Sequence, residues 1–259
     1  MTPNFNYNGF DIPVDLLNMT GGGTDTFEQI SKGHVNWLNE HVGINSSDNV
    51  LEIGCGIGRD AIPLTQILQN NGTYLGIDII GRSIEWCSNN ITPQYPNFKF
   101  VHFNVEDQLH NPDGLQKQKD IPLPIGDGQV DLIILWSVLT HLFEEDIIHY
   151  FREFSRVLKP NGLVVASCFV VDDNILDVAK KVNLTQHNLR FEHLYKPGCY
   201  INDTTVPAGA VAYTTEKMEE LIQKGGLKAD RPLLTGQWWG NNEGKGFGQD
   251  MLILRKGSN

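Results

Sequence analysis

The stretch VLEIGCGIGRD, residues 50–60, decides the fold, because a run of apolar residues ends there in a glycine-rich turn. Gly54, Gly56 and Gly58 occupy alternate positions directly after a predicted buried strand at 49–53. Glycine lets the backbone approach a ligand closely and tolerates positive φ. Ligands of an open α/β sheet bind at the carboxyl ends of its strands, so this turn predicts a site for a nucleotide-like ligand.

Strands and helices alternate through the following residues. Further strands are predicted at 72–78, 98–103, 130–136 and 163–171, and helices at about 57–69, 83–90 and 147–158. The run VDLIILW at 130–136 is typical of a strand buried on both faces of a parallel sheet. The alternation predicts an α/β fold, a Rossmann-like doubly wound sheet with helices on both faces.

Two segments lie outside that repeat. Asp25 and Glu28 have capping-box spacing for a helix that runs to about Glu40. Residues 172–212 mix proline, glycine and polar residues irregularly, which predicts a cap or insertion.

The C-terminal part begins with a predicted helix at 215–224. Two predicted strands follow at 227–239 and 246–256, and the turn GNNEGKG joins them as an antiparallel hairpin at the sheet edge. The sequence thus predicts a single domain with an N-terminal helical segment, a cofactor-binding core, a cap, and a C-terminal helix with hairpin. Their predicted bounds are 1–47, 48–170, 171–212 and 213–259.

The composition limits the class of protein. Of the 259 residues 40% are hydrophobic, which is enough for a large core. A net charge of −11 gives no general attraction to phosphates, so no nucleic-acid partner is expected. The four cysteines form no C-x-x-C pair, and no metal site is predicted. The sequence shows neither a signal peptide nor a membrane span, so we expect a cytoplasmic protein without membrane partners.

The glycine pattern G-x-G-x-G limits the class of ligand. It does not meet the dinucleotide fingerprint G-x-G-x-x-G, and no P-loop lysine follows it. Asp78, 24 residues beyond Gly54, ends the second strand and can accept hydrogen bonds from both hydroxyls of an unmodified ribose. The two features predict an adenosine-type ligand, while a turn or helix-start role for Asp78 is the alternative.

Four stretches together resemble the successive motifs of class I S-adenosylmethionine-dependent methyltransferases. They are VLEIGCGIGRDAIPL, YLGIDIIGRSIEWC, VDLIILWSVLTHL and EFSRVLKPNGLVVAS, and they cover about residues 48–170. More loosely, GAVAY at 209–213, the Trp238-Trp239 segment and GFGQDMLILRK resemble the C-terminal part of a bacterial small-molecule subgroup. The resemblance implies a seven-stranded, mostly parallel sheet whose last strand is antiparallel.

The resemblance also implies S-adenosyl-L-methionine as cofactor, S-adenosyl-L-homocysteine as product, and a set of binding residues. Those around the methionine part would be Glu52, Gly54, Cys55 and Gly56. Asp78 would hold the ribose, and the residues at the adenine would be Ile79, Asn104 and Val105. Leu135 and Trp136 would lie near the sulfonium. Arg59 would reach a carboxylate of cofactor or substrate, or else face solvent as an ordinary helix residue.

The segment LWSVLTHL after the fourth strand limits which class of methyl acceptor is expected. It lacks the Asn/Asp-Pro-Pro-aromatic motif of nucleobase amine methyltransferases, the acidic ligands of the metal-dependent catechol type and a nucleophilic cysteine. We therefore predict O-methylation of a small molecule, such as a sugar or secondary metabolite. The alternatives are N-methylation of a small amine, a non-catalytic cofactor-binding module and an NAD-linked oxidoreductase. Arg59 in place of a third glycine argues against the last of these.

Four side chains and one loop are candidates for the acceptor chemistry. His141, five residues past Trp136, is the candidate general base, because imidazole takes up a proton near neutral pH; bracing of the loop is its alternative. The candidates to wall the substrate are Tyr213, Trp238 and Trp239, for which core packing is the alternative. Three glycines at 21–23 precede a helix and would offer N–H groups to a cofactor carboxylate, or form a flexible linker.

Overall fold

The computed structural model describes residues 3–69, 71–105, 111, 114, 121–182 and 188–257. Contacts within the chain define two compact units, residues 1–115 and 116–259. Residues 183–187 of the predicted cap lie outside the described residues. The predicted division of the chain into a helical segment, core, cap and C-terminal part stays a prediction.

The first unit begins with a hairpin and continues as alternating helices and strands. Its strands are β1 (Asn4–Tyr7), β2 (Phe10–Pro13), β3 (Asn49–Ile53), β4 (Thr73–Asp78) and β5 (Phe98–His102). Its helices are α1 (Val14–Leu17), α2 (Phe27–His41), α3 (Ala61–Leu64) and α4 (Gly81–Asn90), with a 3₁₀ turn at Asn18–Thr20. β4 runs parallel to β3 and to β5. Four of the five residues of β3 are buried, as expected for an apolar strand inside a parallel sheet.

The second unit holds the remaining described elements. Its strands are β6 (Val130–Leu135), β7 (Leu158–Cys168), β8 (Val170–Val171), β9 (His193–Lys196), β10 (Cys199–Ile201), β11 (Val211–Thr214), β12 (Leu227–Ala229) and β13 (Asp250–Lys256). Its helices are α5 (Glu144–Val157), α6 (Asp173–Ala179) and α7 (Thr215–Lys224), with 3₁₀ turns at Leu139–His141 and Pro207–Gly209. The apolar stripe of α5, formed by Ile147, Phe151 and Phe154, is fully buried.

The main sheet has seven strands, in the order β3-β4-β5 in the first unit and β12-β13-β7-β6 in the second. β6 and β7 are parallel, whereas β13 is antiparallel to β7. The predicted α/β fold with a mostly parallel sheet and an antiparallel last strand is therefore confirmed. No helix in the described part of the chain is long and apolar enough to cross a membrane.

The helix predicted at 57–69 is much shorter in the structure. α3 has four residues, and hydrogen-bonded turns continue from it to Leu68. Pro63 lies inside α3 and has no N–H to donate. The Thr65 hydroxyl donates to the Ile62 carbonyl at 2.6 Å, which competes with the helical bond to that oxygen. Apolar spacing alone therefore overestimated this helix.

The N-terminal hairpin was not predicted from the sequence. β1 and β2 pair antiparallel on either side of Asn8 and Gly9. The φ values of these two residues are +48° and +86°, as a type I′ turn requires. An Asn-Gly pair between apolar residues is a strong hairpin signal, so the information was present in FNYNGFDI.

The capping box predicted at the start of α2 is wrong. The helix begins at Phe27 with Thr26 as its N-cap residue, and no side chain caps it. The Thr26 hydroxyl instead accepts the N–H of Gly23 at 3.1 Å. The Thr26 side chain therefore bonds to the preceding loop and not to an N–H group of the first helical turn.

The described residues of the predicted cap contain regular structure. β8, β11, β10 and β9 make a four-stranded sheet in that order. β8 pairs parallel to β11, and the other neighbours are antiparallel. Phe169, Phe191 and Trp238 belong to the core cluster of this region. Strands of two to four residues are too short to show the alternation that identifies a strand in a sequence.

The C-terminal hairpin is confirmed as antiparallel pairing, but with a shorter first strand. β12 pairs with β13 over only Leu227–Ala229, whereas the predicted strand extended to residue 239. Beyond β12 the predicted strand makes an isolated bridge from Leu234 to Met251. Pro232 lies between these pairings and has no N–H for a sheet ladder, which explains the early end of the strand.

Candidate functional site

The glycine turn after β3 has left-handed backbone geometry at every second residue. φ is +77° at Gly54, +51° at Gly56 and +79° at Gly58, values that residues with side chains rarely adopt. The Gly54 N–H donates to the Ile77 carbonyl at 2.7 Å. This bond fixes the turn to the end of β4, next to Asp78.

Asp78 connects the two βα turns through its carboxylate. Oδ2 accepts the Gly56 N–H at 2.6 Å, and Oδ1 accepts the Ile80 N–H at 2.8 Å. The side chain is buried, and a carboxylate can accept about four hydrogen bonds. The two backbone bonds therefore orient the Asp78 carboxylate at the carboxyl end of β4, where the predicted ribose would lie. Its turn role and the predicted ligand role are compatible.

Glu52 and Cys55 are buried beside the turn. The Tyr74 hydroxyl donates to Glu52 Oε2 at 2.5 Å. Burial, and after it the Asp60 carboxylate, raises the pKa of the Glu52 carboxyl well above its usual range. The Cys55 Sγ fills the space that a Cβ would take at Gly76, and burial raises the pKa of its thiol. Both side chains thus support the turn, and their role at the methionine part stays a prediction.

The residues predicted at the adenine are held by hydrogen bonds. A ring nitrogen of His102, Nε2, lies 3.1 Å from the Ile79 carbonyl. The Asn111 amide donates to the Asn104 Oδ1 at 3.2 Å and to the Val105 carbonyl at 2.8 Å. Asn111 was not predicted as a site residue, because no local motif marks it.

Arg59 has a contact that the sequence did not indicate. Its Nη1 donates to the carbonyls of Thr20 and Gly21, each at 3.0 Å. The next residue, Asp60, pairs with Nδ1 of His34 on α2 at 2.7 Å. Thr20, His34 and Asp60 were missed from the sequence, since only the fold brings the N-terminal residues to the glycine turn. Direct contact of Arg59 with a carboxylate of the cofactor or substrate stays a prediction.

The carboxyl end of β6 carries a group of uncharged residues in the second unit. Leu135 and Trp136 are buried, and the Trp136 ring packs edge to face on Phe247 at 5.7 Å. Ser137 is exposed and has φ +56°, an uncommon conformation for a residue with a side chain. The Gln249 amide donates to the Ser137 hydroxyl at 2.9 Å. Polar groups that can orient a neutral ligand therefore lie next to aromatic surface.

His141 ends the 3₁₀ turn that follows β6, and it is half-buried. Its Nδ1 lies 2.9 Å from the Ala208 carbonyl, so Nδ1 carries the proton and donates it. This tautomer places the ring lone pair on Nε2. The same hydrogen bond joins the turn to Pro207–Gly209, so the geometry suits both a base and a brace.

The three aromatic candidates for the substrate wall differ in their surroundings. Trp238 lies in the core with Phe169, and its Nε1 donates to Asp250 at 3.0 Å. Tyr213 is buried and donates to the Leu142 carbonyl at 3.0 Å. Trp239 is only partly buried. These surroundings favour a packing role for Tyr213 and Trp238. Trp239 is therefore the better candidate to line the substrate site.

Metal binding finds no support in the described residues, where no group of three or more histidine, cysteine, aspartate or glutamate side chains is placed to hold an ion. The polar features of the glycine turn suit an organic ligand instead. The glycine turn lets the backbone come close to a ligand, and the Asp78 carboxylate lies next to it. This arrangement fits the amino-acid and ribose parts of an adenosyl amino acid.

Comparison with known proteins identifies the family. The family described as "Methyltransferase domain" matches residues 44–226. The chain therefore belongs to the class I S-adenosylmethionine-dependent methyltransferases, and S-adenosylmethionine is its cofactor.

Relatives and solved structures agree with this assignment. The tRNA N(3)-cytidine methyltransferase METTL2 of Gallus gallus is 26% identical over 134 residues, covering 49% of this chain and 31% of that protein. Methyltransferase GfsG of Streptomyces halstedii is 24% identical over 181 residues, covering 70% and 56%. The chain thus spans less than two thirds of either relative.

Among solved structures, the 1,6-didemethyltoxoflavin-N1-methyltransferase of Burkholderia thailandensis has the same fold. It superposes with a TM-score of 0.54 at 16% identity, covering 94% of this chain and 84% of that one. PH0226 from Pyrococcus horikoshii gives a TM-score of 0.54 at 14% identity, covering 89% and 92%.

Proposed function

We propose that this methyltransferase acts on a small molecule, with O-methylation as its reaction. The observation that carries the proposal is the carboxyl end of β6, where the Ser137–Gln249 pair lies beside Trp136 and Phe247. All four side chains are uncharged and combine hydrogen-bonding groups with aromatic surface. Such a surface suits a neutral, partly apolar acceptor better than a polyanion.

The chain's own residues contribute binding, orientation and proton transfer. S-adenosylmethionine supplies a methyl group that is already electrophilic, so alignment of the acceptor provides most of the rate. Asp78 would accept the ribose hydroxyls while the glycine turn lies against the methionine part. The other residues proposed for the cofactor are Glu52, Cys55, Arg59, Ile79, Asn104, Val105, Leu135 and Trp136.

An alcohol acceptor needs a base, and His141 is the residue we propose for that role. Its Nδ1–H bond to Ala208 supports a ring whose Nε2 takes the hydroxyl proton. A neutral amine acceptor would need no such base. The dependence of the rate on His141 therefore separates O-methylation from N-methylation.

A nucleic-acid substrate is a second candidate, because METTL2 of Gallus gallus is a tRNA methyltransferase by name. That relation covers 49% of this chain. The net charge of −11 opposes the non-specific phosphate attraction on which nucleic-acid binding usually rests. We therefore favour the small-molecule acceptor.

Methyl transfer from radiolabelled S-adenosylmethionine tests the proposal. The purified protein is incubated with a panel of alcohols, phenols, sugars and amines, and in parallel with bulk tRNA. Label in small-molecule ethers, identified by mass spectrometry, is the expected result. Label confined to tRNA would exclude the small-molecule proposal, and label in amines alone would exclude O-methylation.

A further inference from the structure

A short N-terminal segment lies against the glycine turn within the first unit. We name residues 18–23 the strap. The γ-methyl group of Thr20 fills the space that a Cβ would take at Gly56, so side chain and turn are in direct contact. The Thr20 hydroxyl donates to the Leu17 carbonyl at 2.7 Å, which fixes the methyl group in this orientation.

Arg59, which directly follows the glycine turn, is hydrogen-bonded to the strap. Its Nη1 donates to the Thr20 and Gly21 carbonyls, and its side chain is only 15% exposed. The main-chain carbonyl of Arg59 accepts the Ser31 hydroxyl at 2.7 Å. Both ends of Arg59 therefore contact the N-terminal part of the chain, and hydrogen bonds from a charged donor are stronger than neutral ones.

Asp60 supplies the negative charge beside this arginine. Its Oδ1 lies 4.0 Å from Arg59 Nε, and its Oδ2 pairs with His34 at 2.7 Å. Burial lowers the pKa of His34, so the ring is neutral and donates its Nδ1–H to the carboxylate. Two hydrogen bonds from α2, by Ser31 and His34, thus hold the Arg59–Asp60 pair in place.

The strap ends in residues that permit movement. φ is +73° at Gly21 and +85° at Gly22, and glycine moves between such conformations at little steric cost. A Cβ at Gly21 would meet nothing within 4 Å. Gly23 is hydrogen-bonded to Thr26 through both its N–H and its carbonyl, so the contacts at Thr20 and Arg59 restrain the part of the strap that precedes Gly22.

We propose that Arg59 is a positioning residue that holds the strap across the glycine turn, so that the strap covers the methionine end of the bound cofactor. The inference rests on the proposed cofactor role of that turn. Arg59 acts here through the backbone of Thr20 and Gly21 and needs no contact with the cofactor itself. A covered cofactor dissociates more slowly and is shielded from water.

Hydrogen exchange of the strap is the first test. Arg59→Met removes the donors but keeps an unbranched side chain in the buried space. In ligand-free protein, exchange in peptides spanning the strap should rise by roughly tenfold, while the amides of β3 and β4 stay protected. Arg82→Met is the matched control. Arg82 on α4 pairs at 2.7 Å with Asp15, which precedes the strap, and the bridge is exposed.

Ligand binding is the second test. Arg59→Met should weaken S-adenosylhomocysteine binding by about tenfold and raise KM for S-adenosylmethionine with little change in kcat. Unchanged strap exchange in Arg59→Met would overturn the proposal, and lost affinity without faster exchange would instead assign Arg59 to the cofactor directly. If wild-type protein binds no S-adenosylhomocysteine, the proposed cofactor role of the turn fails. The exchange experiment still shows whether Arg59 holds the strap against the turn.

A second variant covers the case in which Arg59→Met does not fold. Thr20→Ser removes only the methyl group on Gly56 and keeps the hydroxyl that bonds Leu17. Severalfold faster strap exchange and weaker S-adenosylhomocysteine binding are expected. Exchange and affinity equal to wild type would contradict the strap as a cover for the cofactor.

Discussion

At the scale of single residues, Asp78 has two tasks that share one carboxylate. It orders the glycine turn through Gly56, and it is the residue proposed to hold the ribose. Because both tasks use hydrogen bonds to an ionised oxygen, removal of the side chain affects the turn and the ligand together.

Asp78→Ala is predicted to weaken S-adenosylhomocysteine binding by about 1.5–3 kcal/mol, roughly ten- to a hundredfold, since charge-assisted hydrogen bonds are lost. Isothermal titration calorimetry measures the change. Asp15→Ala is a suitable control, because Asp15 lies on α1 and pairs with Arg82 across an exposed bridge. Unchanged affinity in Asp78→Ala would exclude the ribose assignment.

His141 can be tested with two substitutions that separate base from brace. An asparagine amide can replace the Nδ1–H bond to Ala208, whereas alanine cannot. If His141 is the base, His141→Asn should lower kcat by about 10²–10⁴ yet keep thermal stability and cofactor affinity. The acid limb of the pH–rate profile should vanish in this variant, because a protonated imidazole cannot accept the hydroxyl proton.

The brace alternative predicts the opposite pattern for the same pair of variants. His141→Asn would then retain most of the rate, and only His141→Ala would lose stability. Thermal unfolding and single-turnover rates on both variants distinguish the two roles. Full activity in His141→Asn would rule out the catalytic role.

At the scale of elements, one buried carboxylate joins three segments of the second unit. Asp250 at the start of β13 accepts N–H groups from Gly236, Val170 and Trp238 at 2.7, 2.8 and 3.0 Å. It thereby links β13 to β8 and to the loop that carries the tryptophans. Burial nevertheless raises its pKa to about 6 from an ordinary value of 3.8.

This raised pKa predicts a definite pH dependence of stability. The folded state binds the Asp250 proton more tightly than the unfolded state, so this residue's contribution to stability falls as pH rises from about 4 to about 6. A shift of about two units corresponds to about 3 kcal/mol. Urea unfolding should show wild type losing stability relative to Asp250→Asn by that order as pH rises through this window, because asparagine does not ionise. A difference independent of pH would contradict the prediction.

At the scale of the whole molecule, charge sets the partners that the protein can approach. A net charge of −11 repels phosphate backbones at long range. We predict only weak binding of bulk tRNA, with a Kd above about 10⁻⁴ M at physiological salt, the weak end of non-specific binding. Fluorescence anisotropy at several salt concentrations measures it. Tight binding that falls steeply with added salt would favour the nucleic-acid alternative.

Much of the fold was accessible from the sequence, because parallel strands in a buried sheet are continuous apolar runs. β3, β4, β5 and β6 lie within a residue or so of their predicted bounds, and α7 coincides with its predicted span. The second sheet was not accessible, since its strands are short and pair with partners far along the chain. The glycine turn was identified because its glycines and Asp78 are close in sequence to the strands that position them.

The sequence by itself determined the α/β fold, the glycine turn and the family, since each depends on local patterns of apolar residues and glycines. Only the tertiary structure decided that Arg59 binds the carbonyl of Thr20, 39 residues earlier. The same holds for Asp250, which accepts the N–H of Val170, 80 residues away. Such contacts depend on the docking of whole elements, and no local pattern of side chains encodes which distant backbone group will lie within reach.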